Sequence, residues 1–387
     1  MTLIRPTAGA ADAGGAADAG GAARRQATRR AVAVLALVAV AALIPLLGPR
    51  TALTGTGEAA APGVGGIALL RTVLFAALCV PVGELFAARL ARRVPGALPV
   101  RAPHSWAAYA ATTGFVAALG LASVVATGNL LPRHLSDLDV GGLYRTRDGK
   151  LALGEVNAFA VAWLCARSRR PAAQVWPLAV VVLAEALRAH PASEHDTLVG
   201  SGLTLVHLTC AALWAGGLLH VLRLLRGRRA AEGVPAGTGE AGPAGTEGVG
   251  PAGASQAGPI GTGTATATGP DAAGSSRAGA ALLGIYARVA AVLFAVITAT
   301  GALSALRRMP PGTVLEQLTS TAYGRTLLAK VILVATVAGL ALWARLRLRR
   351  AKDPLSACSP ARAEIVTLGV VVAVSGLLTA LPLPIRW

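Results

Sequence analysis

Charged residues are scarce in this chain, at 14% of 387, where a soluble globular domain carries about a quarter. With 54% hydrophobic residues and a mean hydropathy of +0.60, that deficit excludes an ordinary soluble fold and indicates a membrane protein. Cysteine is limited to Cys79, Cys165, Cys210 and Cys358. None has CxxC spacing, which argues against a zinc site or a disulfide framework; the bland reading is small apolar core residues. Methionine is limited to Met1 and Met309, too few for a thioether ladder that passes a soft metal ion. Lysine occurs only at positions 150, 330 and 352, and the Ala/Gly/Arg bias that replaces it suggests a GC-rich bacterial genome. No nucleotide-binding loop or phosphorylation motif is present, so ATP-driven pumping is not expected, and nothing points to an enzyme.

What the chain has instead is apolar runs and arginine. The net charge of +18 does not indicate nucleic acid, because the arginines form no patch on a polar domain. They sit in short runs between apolar stretches, as in a multispanning protein whose topology they set. Spanning takes about 20 apolar residues, and the candidate spans are 31–48, 64–88, 106–128, 152–166, 172–188, 200–222, 281–306, 326–345 and 363–383. The fold expected is therefore all-α: a polytopic bundle of about nine transmembrane helices. The fourth span is short and contains Glu155 and Asn157, which suits a re-entrant segment or a span whose outer end lies in protein.

Topology follows from charge. With the N-terminus cytoplasmic, the inner segments carry Arg89/Arg92/Arg93, Arg167/Arg169/Arg170, Arg226/Arg228/Arg229 and Arg345/Arg347/Arg349/Arg350/Lys352. Omitting the fourth span would place the two strongest basic runs outside, so the positive-inside rule retains it and puts the C-terminus outside. Trp106, Trp163, Trp176 and Trp343 fall near the predicted inner ends, at headgroup level; Trp214 is mid-span. Residues 1–30 read as a disordered cytoplasmic tail, residues 31–225 as a six-helix membrane region, residues 226–280 as a flexible Gly/Ala/Pro-rich cytoplasmic linker, and residues 281–384 as a three-helix membrane region.

Polar residues inside the spans are few: Arg71, Glu84, Glu155, Asn157, Glu185, His207 and Lys330. They are candidates for function because their burial in lipid is costly, although Arg71 and Lys330 also suit interface anchors. Six histidines are present: His104, His134, His190, His195, His207 and His220. His190 and His195 share a predicted outer loop with Glu194 and Asp196, a mixture of imidazole and carboxylate that suits Cu(II), Ni(II) or Zn(II); an ordinary polar loop is the alternative. His207, Cys210 and Trp214 fall at i, i+3 and i+7, on one helix face. His207 and Cys210 could hold a soft metal ion, or His207 could be a packed interior histidine. Gly216 and Gly217 allow close approach of a neighbouring helix.

The segment HPASEHDTLVGSGLTLVHLTCAALWAGGLLHVL, from His190 to Leu222, resembles the copper resistance D (CopD) family of bacterial inner-membrane proteins. His190 and His207 match the family's two histidines, and Trp214, Gly216, Gly217 and Leu218 its Trp-x-Gly-Gly-Leu element. Thr300-Gly301 matches the close of a family helix; Tyr323, Gly324, Leu327, Leu328 and Lys330 match a further motif; and Pro382 and Pro384 end the last span in the family manner. The resemblance covers about 190–384. Ala189 stands where the family has glycine before the first histidine, and no copper-binding β-domain is fused to either end.

The resemblance implies a copper-handling protein of the bacterial cytoplasmic membrane, acting in copper resistance or homeostasis by moving copper inward. The copper ion would be bound or transported by His190, His195, His207 and Cys210, and a copper carrier of the CopC type would be a separate partner outside the membrane. The alternatives are a b-type haem redox protein using His207 and His220 as axial ligands, for which spans seven to nine supply no facing histidines, and a membrane scaffold or assembly factor with incidental histidines. Glu84, Glu155 and Glu185 remain unpaired candidates for a proton or metal path.

Overall fold

A computed structural model of the protein describes residues 39–58, 63–97, 104–128, 139–190, 196–232, 270–308 and 311–350, with a few isolated residues besides. The expectations for the tail 1–30, most of the linker 226–280, the span 363–383 and His195 lie outside the described residues. Within them all regular structure is helical. That outcome follows from composition: backbone groups in lipid must be satisfied within their own segment, and a helix does this for every interior residue.

The helices are α1 (Ala39–Leu53), α2 (Val64–Ala91), α3 (Ala107–Thr127), α4 (Val140–Arg145), α5 (Arg147–Arg167), α6 (Val175–Arg188), α7 (Thr197–Glu232), α8 (Pro270–Arg308), α9 (Val314–Ser320) and α10 (Ala322–Arg350). Five are long and apolar enough to cross a membrane: α2, α3, α6 with its preceding turn from Pro171, α7 and α8. Of the remaining expected spans, the first is represented by the short apolar α1, while α5 and α10 are not among those five. The linker boundaries also differ from expectation, since α7 continues to Glu232 and α8 starts at Pro270.

α5 lacks the hydropathy of a span because Arg147, Asp148, Lys150, Glu155 and Asn157 lie in it, yet it runs for 21 residues. At ~1.5 Å per residue that is about 31 Å, comparable with the bilayer core. Thr146 starts it by accepting from the Gly149 N–H at 3.1 Å. Its first residue, Arg147, bonds the end of α6 at the Leu187 carbonyl, whereas α6 starts only a few residues after α5 ends. Both ends of α5 thus fit an alternating up-and-down path.

The packing is a ring in which α2 neighbours α3 and α7, α3 neighbours α5, α5 neighbours α6, and α6 closes on α7; α8 lies against α7 and α2. One core cluster fills the ring with Leu74 and Leu78 of α2, Ala118 and Leu121 of α3, Phe159 of α5, and Leu178 and Val181 of α6. A second joins Leu90 of α2, Trp214, Leu218 and Val221 of α7, and Leu282 and Tyr286 of α8. Large apolar side chains such as Val116, Leu119, Leu164, Val180 and Val292 remain exposed on the outside, the surface a helix bundle presents to lipid rather than to water.

α2 and α7 approach each other closely at their glycines. A Cβ placed on Gly83 would collide with the Gly216 backbone, and one on Gly216 would collide with the Cys79 carbonyl. Gly217 faces the rings of Phe86 and Tyr286. Small residues allow such contact where lipid provides no hydrophobic drive between helices. Trp214, unexplained as an interface residue, packs edge-on to Phe294 at 5.4 Å between ring centroids, and its carbonyl accepts from the Tyr286 hydroxyl at 2.7 Å.

Gly216→Val should lower the thermal midpoint of the detergent-solubilised protein sharply, at or above the top of the ~1–3 kcal/mol overpacking range, because the obstructing atoms are backbone. Gly284→Ala, with nothing within 4 Å of an added Cβ, should leave it unchanged or slightly raised. Equal midpoints for Gly216→Val and wild type would show that α2 and α7 do not meet at these glycines.

Candidate functional site

α7 carries the central histidine. His207 Nδ1 lies 3.0 Å from the Thr300 hydroxyl on α8. That hydroxyl has one hydrogen, which it donates to the Val296 or Ile297 carbonyl behind it, at 2.7 and 3.1 Å. The oxygen therefore accepts from the ring, which assigns the proton of a neutral imidazole to Nδ1 and the lone pair to Nε2. An imidazole held through one nitrogen with the other available is the arrangement that orients a metal-ligating histidine. Gly301 keeps the ring's side open, since a Cβ there would come within 3.4 Å of His207 Cε1.

His190 does not stand in an open loop, as the sequence suggested. It is 3% exposed and follows directly on the C-cap of α6. Its Nε2 lies 3.1 Å from the Thr204 hydroxyl of α7, and its ring covers Gly200, where a Cβ would come within 2.6 Å of Nδ1. Arg147 holds the backbone beneath it, donating to the His190 carbonyl at 3.3 Å and the Leu187 carbonyl at 3.0 Å. Thr204 and His207 are three residues apart, so the anchors of the two imidazoles lie within about one turn on α7, a rise of ~4.5 Å.

Cys210 is a free, half-buried thiol packed against the α7–α8 core cluster. Among the described residues, no three His, Cys, Asp or Glu side chains are grouped so as to hold a metal ion. Of the sequence candidates, His190 and His207 are thus anchored within about one turn along α7, with Cys210 one turn beyond His207; His195 lies outside the described residues. His207 and His220 are 13 residues apart on one helix, about 20 Å, and cannot flank a single haem. Each also has another occupation, His207 with Thr300 and His220 with Arg223 at 3.2 Å.

The other motif residues are structural in their contacts. Tyr323 is buried, and Gly324 rests on the backbone of Gln317 and Leu318. The Gly324 N–H is capped by the Thr321 hydroxyl at 2.9 Å, and Glu58 Oε1 accepts from the Ala322 N–H at 3.3 Å, a favourable place for an anion at a helix N-terminus.

The three intramembrane carboxylates do not form one path. Glu84 accepts from the Trp106 N–H at 3.2 Å, at the arginine-rich end, where Arg223 stacks 3.5 Å over the Trp106 ring and donates to the His104 carbonyl at 2.7 Å. Glu155 and Glu185 instead meet near the opposite end around Arg188, which lies 2.7 Å from Glu155 Oε2 and 3.4 Å from Glu185 Oε1. Sequence reasoning missed Arg188 because it falls at a predicted span end, where arginine reads as an interfacial anchor, and Arg147 because it falls in the predicted outer segment before the span 152–166. The i, i+3 spacing of Glu185 and Arg188 was the available signal.

These features define a multi-pass helical membrane protein with a histidine held between α7 and α8. Residues 280–379 match the family model for Copper resistance protein D. The match begins within α8 and therefore contains Thr300, Gly301, Tyr323, Gly324 and Lys330 but not His190 or His207. No curated protein and no solved structure gives a significant match to the chain.

Thr300→Val should destabilise the detergent-solubilised protein by about 1 kcal/mol, whereas Thr300→Ser should retain most of the wild-type thermal midpoint. Identical midpoints for valine and serine would show that the His207–Thr300 hydrogen bond does not hold α7 to α8.

Proposed function

We propose that the protein moves copper ions inward across the cytoplasmic membrane of a bacterium, with His190 and His207 as successive ligands along α7. The observation that supports this reading is the setting of His207: Nδ1 is tied to Thr300, within the stretch matched by a copper family, and Nε2 is left with its lone pair. A neutral imidazole binds Cu(I) or Cu(II) through such a nitrogen. On the topology that the arginine runs favour, His190 lies toward the outer face and His207 about one turn deeper. His195 would precede them, and Cys210 adds a soft donor one turn below His207.

Two or three donors spaced along a helix suit transit better than storage, since a permeation path needs binding strong enough to admit an ion and weak enough to release it. Inward movement of a cation is favoured by about 2.3 kcal/mol per charge per 100 mV of membrane potential. A separate extracytoplasmic copper carrier of the CopC type would deliver the ion.

Cellular copper measured by elemental analysis tests the reading in cells expressing wild type, empty vector or His190→Ala/His207→Ala, with membrane levels of each protein compared. Copper should rise with wild type and return to the vector level in the double variant. Equal copper in all three at equal expression would rule out import through these histidines.

A further inference from the structure

The helix ring encloses a polar cluster that the copper reading does not use. Glu155 of α5 is fully buried and Glu185 of α6 is 4% exposed. One guanidinium, that of Arg188, serves both, at 2.7 Å from Glu155 Oε2 and 3.4 Å from Glu185 Oε1. Two ionised carboxylates gathered on one guanidinium cannot hydrogen-bond to each other, because neither has a hydrogen to donate. Glu155 Oε1 is buried and has no hydrogen-bond partner.

The charges do not cancel within the closed part of this cluster. Glu155, Glu185 and Arg188 sum to one excess negative charge. Arg71 of α2 approaches only Glu185 Oε2, at 3.8 Å, and is 21% exposed, so it stands at the rim, beyond hydrogen-bond distance. Like charges confined to one buried site disfavour joint ionisation, and an uncompensated charge there costs several kcal/mol.

The other ionisable groups on adjoining elements do not supply the missing charge. Arg147 is committed to the Leu187 and His190 carbonyls. α3 and α4 bring Tyr109, Tyr144 and Arg145, all exposed. On α2, Glu84 is bonded to Trp106; on α7, His207 is bonded to Thr300 and His190 packs on Thr204.

We propose that Glu155 and Glu185 jointly hold one exchangeable proton at neutral pH, making the Arg188 cluster a proton-binding site inside the N-terminal helix ring. The proton resides on one carboxyl group of the pair and exchanges with water. Arg71 is the competing counter-charge: moved inward, it neutralises Glu185 and releases the proton. The site stands on its own geometry, whether or not the chain carries copper.

Infrared spectroscopy of the full chain in liposomes tests this. Wild type at pH 7 should show the carbonyl stretch of a protonated carboxylic acid, shifted on exchange into D2O. Either Glu155→Gln or Glu185→Gln should abolish it, because each leaves one carboxylate with Arg188 and no charge in excess. Glu84→Gln should retain it, and Arg71→Gln should extend it to higher pH. A wild-type spectrum with no such band at pH 7 would overturn the proposal without recourse to any variant. So would a band that survives both Glu155→Gln and Glu185→Gln in folded protein.

Discussion

The backbone contact between α2 and α7 governs where everything polar can lie. Gly83 and Gly216 bring two helices closer than any side chain would permit, and this fixes the height and rotation of α7 against the ring. One face of α7 then receives His190 at Thr204, another meets α8 through Tyr286 and Thr300, and its far end carries His220 and Arg223 to the start of α3. In water a hydrophobic stripe could have assembled these helices. In lipid the outer and inner faces are alike in polarity, so close packing and a few hydrogen bonds must specify the arrangement.

The polar side chains divide accordingly into two ends. At the arginine-rich end, Arg223 lies on the Trp106 ring and its other contacts are hydrogen-bonded, so its charge faces an aromatic surface that tolerates it. At the opposite end, four charged side chains from α2, α5 and α6 face one another inside the ring. This explains how α5 can include a glutamate and an asparagine and still run the length of the bundle: Glu155 meets Arg188, and the Asn157 amide returns to its own helix at the Leu153 carbonyl, 2.9 Å away. The polarity that makes α5 a poor span by hydropathy is directed inward or satisfied locally.

The class of fold was legible because it depends on averages: low charge, long apolar runs and arginine between them. Helices α2, α3 and α6 could be placed within a few residues for the same reason, whereas α7 continues well past its expected end to Glu232 and α8 starts well before its expected start, at Pro270. The site was legible only residue by residue. His207 stood out as a histidine in an apolar run, and Gly216 and Gly217 as small residues just beyond Trp214 on the same helix. Their partners did not, because Thr300 is 93 positions from His207 and Cys79 and Gly83 are far from Gly216; no periodicity connects residues on different helices. His190 was misplaced for a related reason. His-Pro with Ser, Glu and Asp following reads as an exposed loop, but the cavity over Gly200 that buries its ring belongs to α7 and is invisible in the local composition.

α7 is shared between the two parts of the chain, and this bears on how far the family resemblance extends. The matched stretch starts at residue 280, yet α8 has its own core partners, Trp214, Leu218 and Val221, on α7. The Tyr286 hydroxyl is directed to an α7 carbonyl, and Thr300 turns its oxygen to an α7 imidazole. Without α7 the Tyr286 hydroxyl would face lipid with no acceptor, at a cost of several kcal/mol, while the Thr300 hydroxyl would still donate within its own helix. The residues of the matched region therefore make physical sense only with α7 in place. α7 and α8 thus form one packed unit on which the matched stretch rests, while the Glu155–Glu185 cluster lies in the part of the ring formed by the helices that precede α7.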